Sequence, residues 1–229
     1  MTQNGNTRLQ GKFITFEGPE GGGKSTHIRL LETFLRARGL DVTVTREPGG
    51  TPTGEAIRAL LQHDQAGESP VPRTEVLLFL ASRAQHVDRL IRPALARGEW
   101  VLCDRFEVST FAYQGYARGF DLDMLRRLNT FATGGLTPDL TLLLDVPPGV
   151  GGARLRDRHA RNAAAGLDRF EREAKPFHEQ VRRGFLDLAR LAPDRIAVVN
   201  TDEETDRVAE RIRETVTRCL LAGESPDGC

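Results

Sequence analysis

Phe13-Ile14-Thr15-Phe16-Glu17-Gly18-Pro19-Glu20-Gly21-Gly22-Gly23-Lys24-Ser25-Thr26 is the stretch that decides the fold. It opens on a short apolar run of the kind that makes a buried strand. From Gly18 to Ser25 it then fits G-x-x-x-x-G-K-[ST]. Glycines at this spacing let the backbone wrap so that its N–H groups point inward at phosphate oxygens. Lys24 reaches the outer phosphates of a nucleoside triphosphate, and the Ser25 hydroxyl can ligate Mg²⁺. Residues Gly18, Pro19, Glu20, Gly21, Gly22, Gly23, Lys24, Ser25 and Thr26 are therefore the expected donor-nucleotide loop. The chain has 23 glycines among 229 residues, so an accidental match has to be weighed. Lysine decides it: of the 32 basic residues only Lys12, Lys24 and Lys175 are lysines. That composition yields the pattern by accident with a probability on the order of a few in a thousand.

Outward from this stretch, further short apolar runs recur at Val42 to Thr45, Trp100 to Cys103, Leu140 to Val146 and Ile196 to Val199. Their unbroken apolar character predicts parallel strands covered on both faces. Helical patterns separate them at 26–38, 53–63, 72–97, 121–133, 147–158, 170–191 and 203–220. The alternation predicts a three-layer α/β fold with a five-stranded parallel sheet. Ligands of such sheets lie beyond the carboxyl ends of the strands. Glu17, Arg46, Asp104, Arg105 and Asp145, each at a strand end, should approach one crevice. Residues 65–72 and 159–169 read as loops.

The 32 basic and 32 acidic residues balance, which argues against a nucleic-acid binder's global field, so phosphate recognition must be local. Cys103, Cys219 and Cys229 have no metal-ligand spacing and leave one cysteine unpaired, which suggests a reducing, cytoplasmic setting. No apolar run is long enough for a membrane span, and residues 1–11 are polar rather than signal-like. The expected organisation is a flexible N-terminus over 1–11, one domain over 12–221 with a lid at about 154–169, and a flexible tail over 222–229.

The first loop alone does not separate GTPases, motor ATPases and kinases. No base-reading N-K-x-D occurs, and Asp64-Gln65-Ala66-Gly67 fits D-x-x-G only after a helix pattern, which weakens the GTPase reading. Trp100-Val101-Leu102-Cys103-Asp104 is a hydrophobic strand ending in an acid that can help hold Mg²⁺. Arg105 directly after it suits a second phosphate group.

Together these segments resemble the bacterial thymidylate kinase family. The matching stretches, in family order, are Phe16 to Thr26, Thr45-Arg46-Glu47-Pro48-Gly49-Gly50-Thr51, Leu78 to Arg83, Asp104 to Thr110 with Ala112-Tyr113-Gln114-Gly115, Pro138 to Val146, and Leu167-Asp168-Arg169-Phe170-Glu171. The resemblance implies a P-loop kinase fold with a small lid, transfer of phosphate from ATP to dTMP with Mg²⁺, and a homodimer. It makes Lys24 and Arg105 catalytic, with Ser25 and Asp104 near the metal. Arg46 and Arg105 would hold the acceptor phosphate, and Glu20 would meet the sugar 3′-hydroxyl. Phe79 would stack on thymine, with Arg83 one turn later on the same helix face. Ser109, Thr110 and Gln114 would complete base recognition, and Tyr113 would pack beside the deoxyribose. One subtype carries its catalytic arginine directly after the loop acid, where this chain has Gly21. That points to the lid, with Arg158 as first choice and Arg154 or Arg156 as alternatives. Phe106 stands where a tyrosine is common. A kinase for another nucleotide or deoxynucleoside, and a non-catalytic ATP-binding switch, are the competing readings.

Overall fold

The computed structural model describes residues 11–62, 67–161 and 168–221. The side chains of Arg158 and Arg161 lie outside the described set, as do the first ten residues, the tail from 222, and most of the expected loop at 159–169. Five strands, β1 (Phe13–Glu17), β2 (Val42–Arg46), β3 (Trp100–Asp104), β4 (Leu140–Asp145) and β5 (Ile196–Asn200), form one parallel sheet in the order β2-β3-β1-β4-β5. β1, β2, β3 and β5 run one residue past the apolar segments that predict them. Backbone pairing does not stop at a polar side chain: Arg46 pairs with Asp104, and Asp145 with Asn200. The polar residues at these ends are what the sheet delivers to one edge.

Helices α1 (Lys24–Arg36) and α9 (Thr205–Val216) cover one face. Ile28, Leu31, Leu35, Val208, Ile212 and Val216 pack there on Ile14, Phe16, Leu102, Leu142 and Leu144. The other face carries α3 (Pro72–His86), α6 (Leu122–Thr133) and α8 (Lys175–Leu191), whose Val76, Leu80, Leu125, Val181 and Phe185 join Leu143 in a second core. A third cluster sets Val87, Ile91 and Ala94 against Phe13, Val101 and Cys103. Each such fully buried aliphatic side chain stabilises the fold by about 1.5–3 kcal/mol relative to exposure. The remaining helices are α2 (Pro52–Gln62), α4 (Arg92–Ala96), α5 (Glu107–Thr110) and α7 (Pro148–Arg161).

Three departures from the sequence pattern stand out, and the contacts give a cause for the second and third. The helical pattern at 72–97 is α3, a wider π turn over Val87–Ile91, and α4. The helix expected from residue 170 starts at Lys175. Before it the Asp168 carboxylate accepts from the N–H groups of Phe170 (2.8 Å) and Glu171 (2.9 Å) and holds a turn there. The third departure is α5 together with a π segment over Phe111–Ala117, which the sequence pattern does not show. Its β-branched, aromatic and glycine residues disfavour a helix. Tertiary contacts override that preference: Glu17 accepts from the N–H groups of Phe106 and Ser109, and the missing Cβ of Gly115 leaves room for Leu122. Cys103 is free and buried, and Cys219 is disulfide-bonded. Among the described residues no helix is long and apolar enough to cross a membrane.

Candidate active site

β1 passes directly into the glycine loop. Gly18 has φ +129°, and a Cβ there would lie 2.3 Å from the Leu144 carbonyl oxygen. Gly21 has φ +75°, and its Cβ would lie 2.3 Å from the Gly151 oxygen. Neither position admits a side chain, which explains the glycines by backbone approach rather than by turn propensity. Gly23 caps α1, so the N-terminal end of that helix faces the loop. Lys24 is buried, and its Nζ donates to the carbonyls of Gly18 (3.1 Å) and Pro19 (3.0 Å). Burial, and then the Arg105 charge, pull its pKa below the usual lysine value. Ser25 Oγ donates to Asp104 Oδ2 at 3.2 Å, joining the start of α1 to the end of β3.

From the other side α7 packs on this loop. Arg154 donates to the Gly21 oxygen (3.4 Å) and the Thr201 oxygen (2.9 Å), so it lies at the loop itself. Arg156 is exposed. Arg158 falls on the same helix, but its side chain is outside those described.

The middle of the site is built around Arg105, at φ +71° the one non-glycine residue with positive φ among those described. Such a conformation costs on the order of 1 kcal/mol or more and persists where neighbours over-determine it. Here Arg105 N–H donates to the Phe16 oxygen at 2.9 Å. Glu17, fully buried at the end of β1, accepts from Phe106 N–H (2.9 Å), Ser109 N–H (3.2 Å) and Ser109 Oγ (2.5 Å). Burial pushes the Glu17 carboxyl up from 4.5 to about 7, against the lowering effect of those hydrogen bonds and of Arg105.

The Arg105 guanidinium donates to Glu20 Oε1 (2.6 Å), Tyr113 Oη (3.1 Å), Ser109 Oγ (2.9 Å) and the Gly18 oxygen (3.1 Å). Burial opposes its charge, but Glu20 and the other acids outweigh it and raise its pKa above the usual arginine value. Burial likewise raises the Tyr113 phenol. Glu20 thus sits beside the phosphate loop as the partner of an arginine, which removes its electrostatic oddity.

At the far end the rings of Phe79 and Phe170 lie 5.8 Å apart at 55°. Arg83 is buried: Nε donates to Glu47 Oε2 (2.7 Å), and Nη1 to Thr110 Oγ1 (2.9 Å) and to Asn129 Oδ1. Behind it His86 bridges Glu47 Oε1 (3.0 Å) and Thr45 Oγ1 (2.7 Å). Gln114 Nε2 donates to Glu75 Oε1 at 2.8 Å. Arg46 is half exposed and paired with Glu55 at 2.8 Å.

These groups line one cavity of about 550 Å³. It takes in Glu20 to Thr26, Arg46, Phe79, Arg83, Asp104, Arg105, Ser109, Thr110, Tyr113, Gln114 and Arg154. Gly18 and Pro19 stand behind it as backbone acceptors for Lys24. Of the five strand-end residues, Arg46, Asp104 and Arg105 reach the cavity and Glu17 lies beneath it. Asp145 does not line it: Arg182 takes both its oxygens, at 2.7 and 2.8 Å.

Sequence reasoning missed Glu47, Arg58, Gln62, Asp168 and Phe170, which also line the cavity. Asp168 and Phe170 belong to a matched stretch, yet nothing local shows that this stretch folds back onto α2 and α3. Arg58 carries no pattern at all; it is mostly buried, and that burial lowers its pKa.

The family model described as thymidylate kinase matches residues 16–212. The thymidylate kinase of Desulfovibrio desulfuricans is 50% identical over 212 residues, covering 91% of this chain and 96% of its own length. That of Syntrophotalea carbinolica is 49% identical over 208 residues, with 91% and 96% covered. A solved thymidylate kinase from Ehrlichia chaffeensis superposes with a TM-score of 0.72 at 33% identity, over 90% of this chain and 98% of that one. With its phosphate loop, its parallel sheet and these relatives in agreement, the chain belongs to the thymidylate kinase family.

Proposed function

We propose that the protein transfers the γ-phosphoryl group of ATP to dTMP, giving dTDP and ADP for dTTP synthesis. The observation that carries this reading is the continuity of the cavity. It runs from the glycine loop, through the Arg105, Glu20 and Tyr113 cluster, to a pocket closed by two phenylalanines and a buried arginine. A site that only bound and hydrolysed ATP would have no use for the second half.

Phosphoryl transfer asks for positioning and charge neutralisation rather than covalent help. An anionic oxygen of the dTMP phosphate attacks the γ-phosphorus. The new P–O bond forms as the bond to the β,γ-bridging oxygen breaks, and the electron pair leaves with ADP. That oxygen is already ionised at neutral pH, so no general base is assigned. Lys24 exchanges its loop carbonyls for the β and γ phosphates. Arg105, with Arg46, holds the acceptor phosphate in line, and Glu20 accepts from the sugar 3′-hydroxyl. Tyr113 packs beside the deoxyribose and disfavours a 2′-hydroxyl. Phe79 stacks on the base, with Arg83, Ser109, Thr110 and Gln114 around its edge.

Ser25 and Asp104 fit Mg²⁺, since paired hard oxygens beside a phosphate loop leave the remaining ligands to water and the nucleotide. Held by these two residues, the ion would supply positive charge that offsets the negative charge of the nucleotide phosphates. The lid supplies the arginine that Gly21 does not, Arg158 by sequence or Arg154 by its position at the loop. Lid closure excludes water, so that phosphate passes to dTMP rather than to solvent.

We further read residues 12–221 as one kinase domain, working in the cytoplasm as a homodimer. Leu77 on α3 and Phe131 on α6, exposed at 61% and 87%, support the dimer. Sedimentation as a monomer at assay concentration would remove it.

The test of the activity is an acceptor panel. With ATP and Mg²⁺, dTMP should be phosphorylated at least about a hundredfold more efficiently than dCMP, AMP or thymidine. Comparable efficiency on AMP would overturn the assignment.

A further inference from the structure

Gln114 is 1% exposed, lines the cavity, and spends its amide nitrogen on Glu75 Oε1 at 2.8 Å. Glu75 is itself 1% exposed and does not line the cavity. Its second oxygen accepts from Arg169 Nη2 (2.6 Å) and Arg118 Nη2 (3.4 Å). A carboxylate held by two guanidinium groups can only accept, so the NH₂ of Gln114 is forced toward Glu75 and its carbonyl is turned away. Among the described residues that carbonyl, Gln114 Oε1, has no protein partner, and it is the amide atom left for the cavity.

Arg83 is fixed in a complementary way. Its Nε and Nη1 are taken by Glu47, Thr110 and Asn129, which leaves Nη2 as its unspent donor. Arg83 and Gln114 therefore offer the pocket one fixed donor and one fixed acceptor. A pyrimidine with a 4-carbonyl and an N3–H matches that pair. One with a 4-amino group and a bare N3 opposes it at both atoms.

We infer that Glu75 is a positioning residue that sets base specificity: without touching the nucleotide, it locks the Gln114 amide so that the pocket accepts thymine and rejects cytosine. The inference rests on the proposed thymidylate activity and names what enforces its acceptor choice. Such a device is effective because a base of the wrong polarity leaves buried polar groups unpaired, a penalty far larger than the gain from one good contact.

The test is Glu75→Gln. A glutamine at 75 can donate as well as accept, so it pairs with either orientation of Gln114 and frees that amide to turn its NH₂ toward the base. The kcat/KM ratio of dTMP to dCMP should fall by about tenfold or more, because dCMP gains while dTMP loses. KM for ATP should stay within about twofold, since the donor loop is untouched. General loosening of the pocket would lower both acceptors, so a rise for dCMP separates positioning from mere structural support. A folded Glu75→Gln enzyme with the wild-type ratio overturns the inference and leaves the thymidylate reading standing. A wild-type enzyme with no preference for dTMP overturns that reading itself.

Should the single variant not fold, the exchanged pair Glu75→Gln with Gln114→Glu keeps the net charge. It again places an oxygen toward the base, because the carboxylate introduced at position 114 carries no NH₂. It should still favour dTMP over dCMP, whatever its absolute rate. A gain for dCMP in the exchanged pair would also overturn the inference.

Discussion

The two ends of the cavity are built on different principles. At the phosphate end one uninterrupted stretch, Gly18 to Ser25, supplies nearly everything: a backbone that only glycine can follow, an ammonium, and a hydroxyl. At the end proposed to take the base, Phe79 and Arg83 come from α3, Thr110 and Gln114 from α5 and the π segment, and Phe170 from the turn before α8. Behind these stand Glu47, Glu75, Asn129 and His86, which serve the pocket from outside or at its wall. Phosphate is recognised by what every such chain possesses, its own N–H groups, and so a local sequence suffices. A base edge is recognised by directed donors and acceptors, and each must be aimed by a further residue.

The comparison predicts that the two ends fail differently. Lys24→Met should give the largest effect, lowering kcat by roughly a thousandfold, because one charge on the transferring group is lost in a dry site. Binding of dTMP, measured by calorimetry, should stay within about threefold. A parallel collapse of dTMP binding would break the division into two ends.

Next comes the lid. Replacing the arginine proposed to act from the lid by alanine should lower kcat by about a hundredfold or more with KM for ATP little changed. Steady-state kinetics on Arg154→Ala and Arg158→Ala separate the two candidates. Arg154 meets the Gly21 carbonyl, so its loss should also raise KM for ATP if it only supports the loop. An unchanged kcat in these two variants and in Arg156→Ala as well would refute a lid arginine among the three candidates.

The smallest effect lies where the two ends join. The pKa of Glu17 is about 7 in the folded protein against 4.5 for an ordinary glutamate, so folding favours its protonated form. The linked stabilisation is fully present below pH 4.5 and is lost as pH rises through about 7. Glu17→Gln keeps a neutral group. Between about pH 5 and 8 its stability relative to wild type should therefore rise with pH, by at most about 3 kcal/mol. Thermal melts of the two proteins across that range decide it; parallel profiles would show that Glu17 does not titrate there.

Legibility in the sequence followed the range of the forces involved. All five strands were readable because a buried parallel strand must be apolar along its whole length, and their ends missed by only one residue. Residues 107–117 were not readable as helix. Their local preferences point elsewhere, and the buried Glu17 carboxylate, 89 residues from Phe106, organises that turn. Asp145 looked like Asp104 in the sequence, as an acid ending a central strand. Arg182, on α8, removes it from the site through two hydrogen bonds, and no local pattern announces that. Glu75, in the first turn of α3, belongs to none of the motifs that the sequence shows. Only burial among Arg118, Arg169 and Gln114 gives it a part in the site.

The sequence by itself determined the layered parallel sheet, the phosphate loop and the family. Each rests on residues contiguous in the chain, where period and spacing are physical constraints in their own right. Tertiary structure alone decided which strand-end acids face the cavity, how Arg105 is held at positive φ between Glu20 and Glu17, and which way the amide of Gln114 points. Those outcomes depend on charges and hydrogen bonds between segments tens of residues apart, and such partners are chosen by burial, which becomes defined only when the layers close.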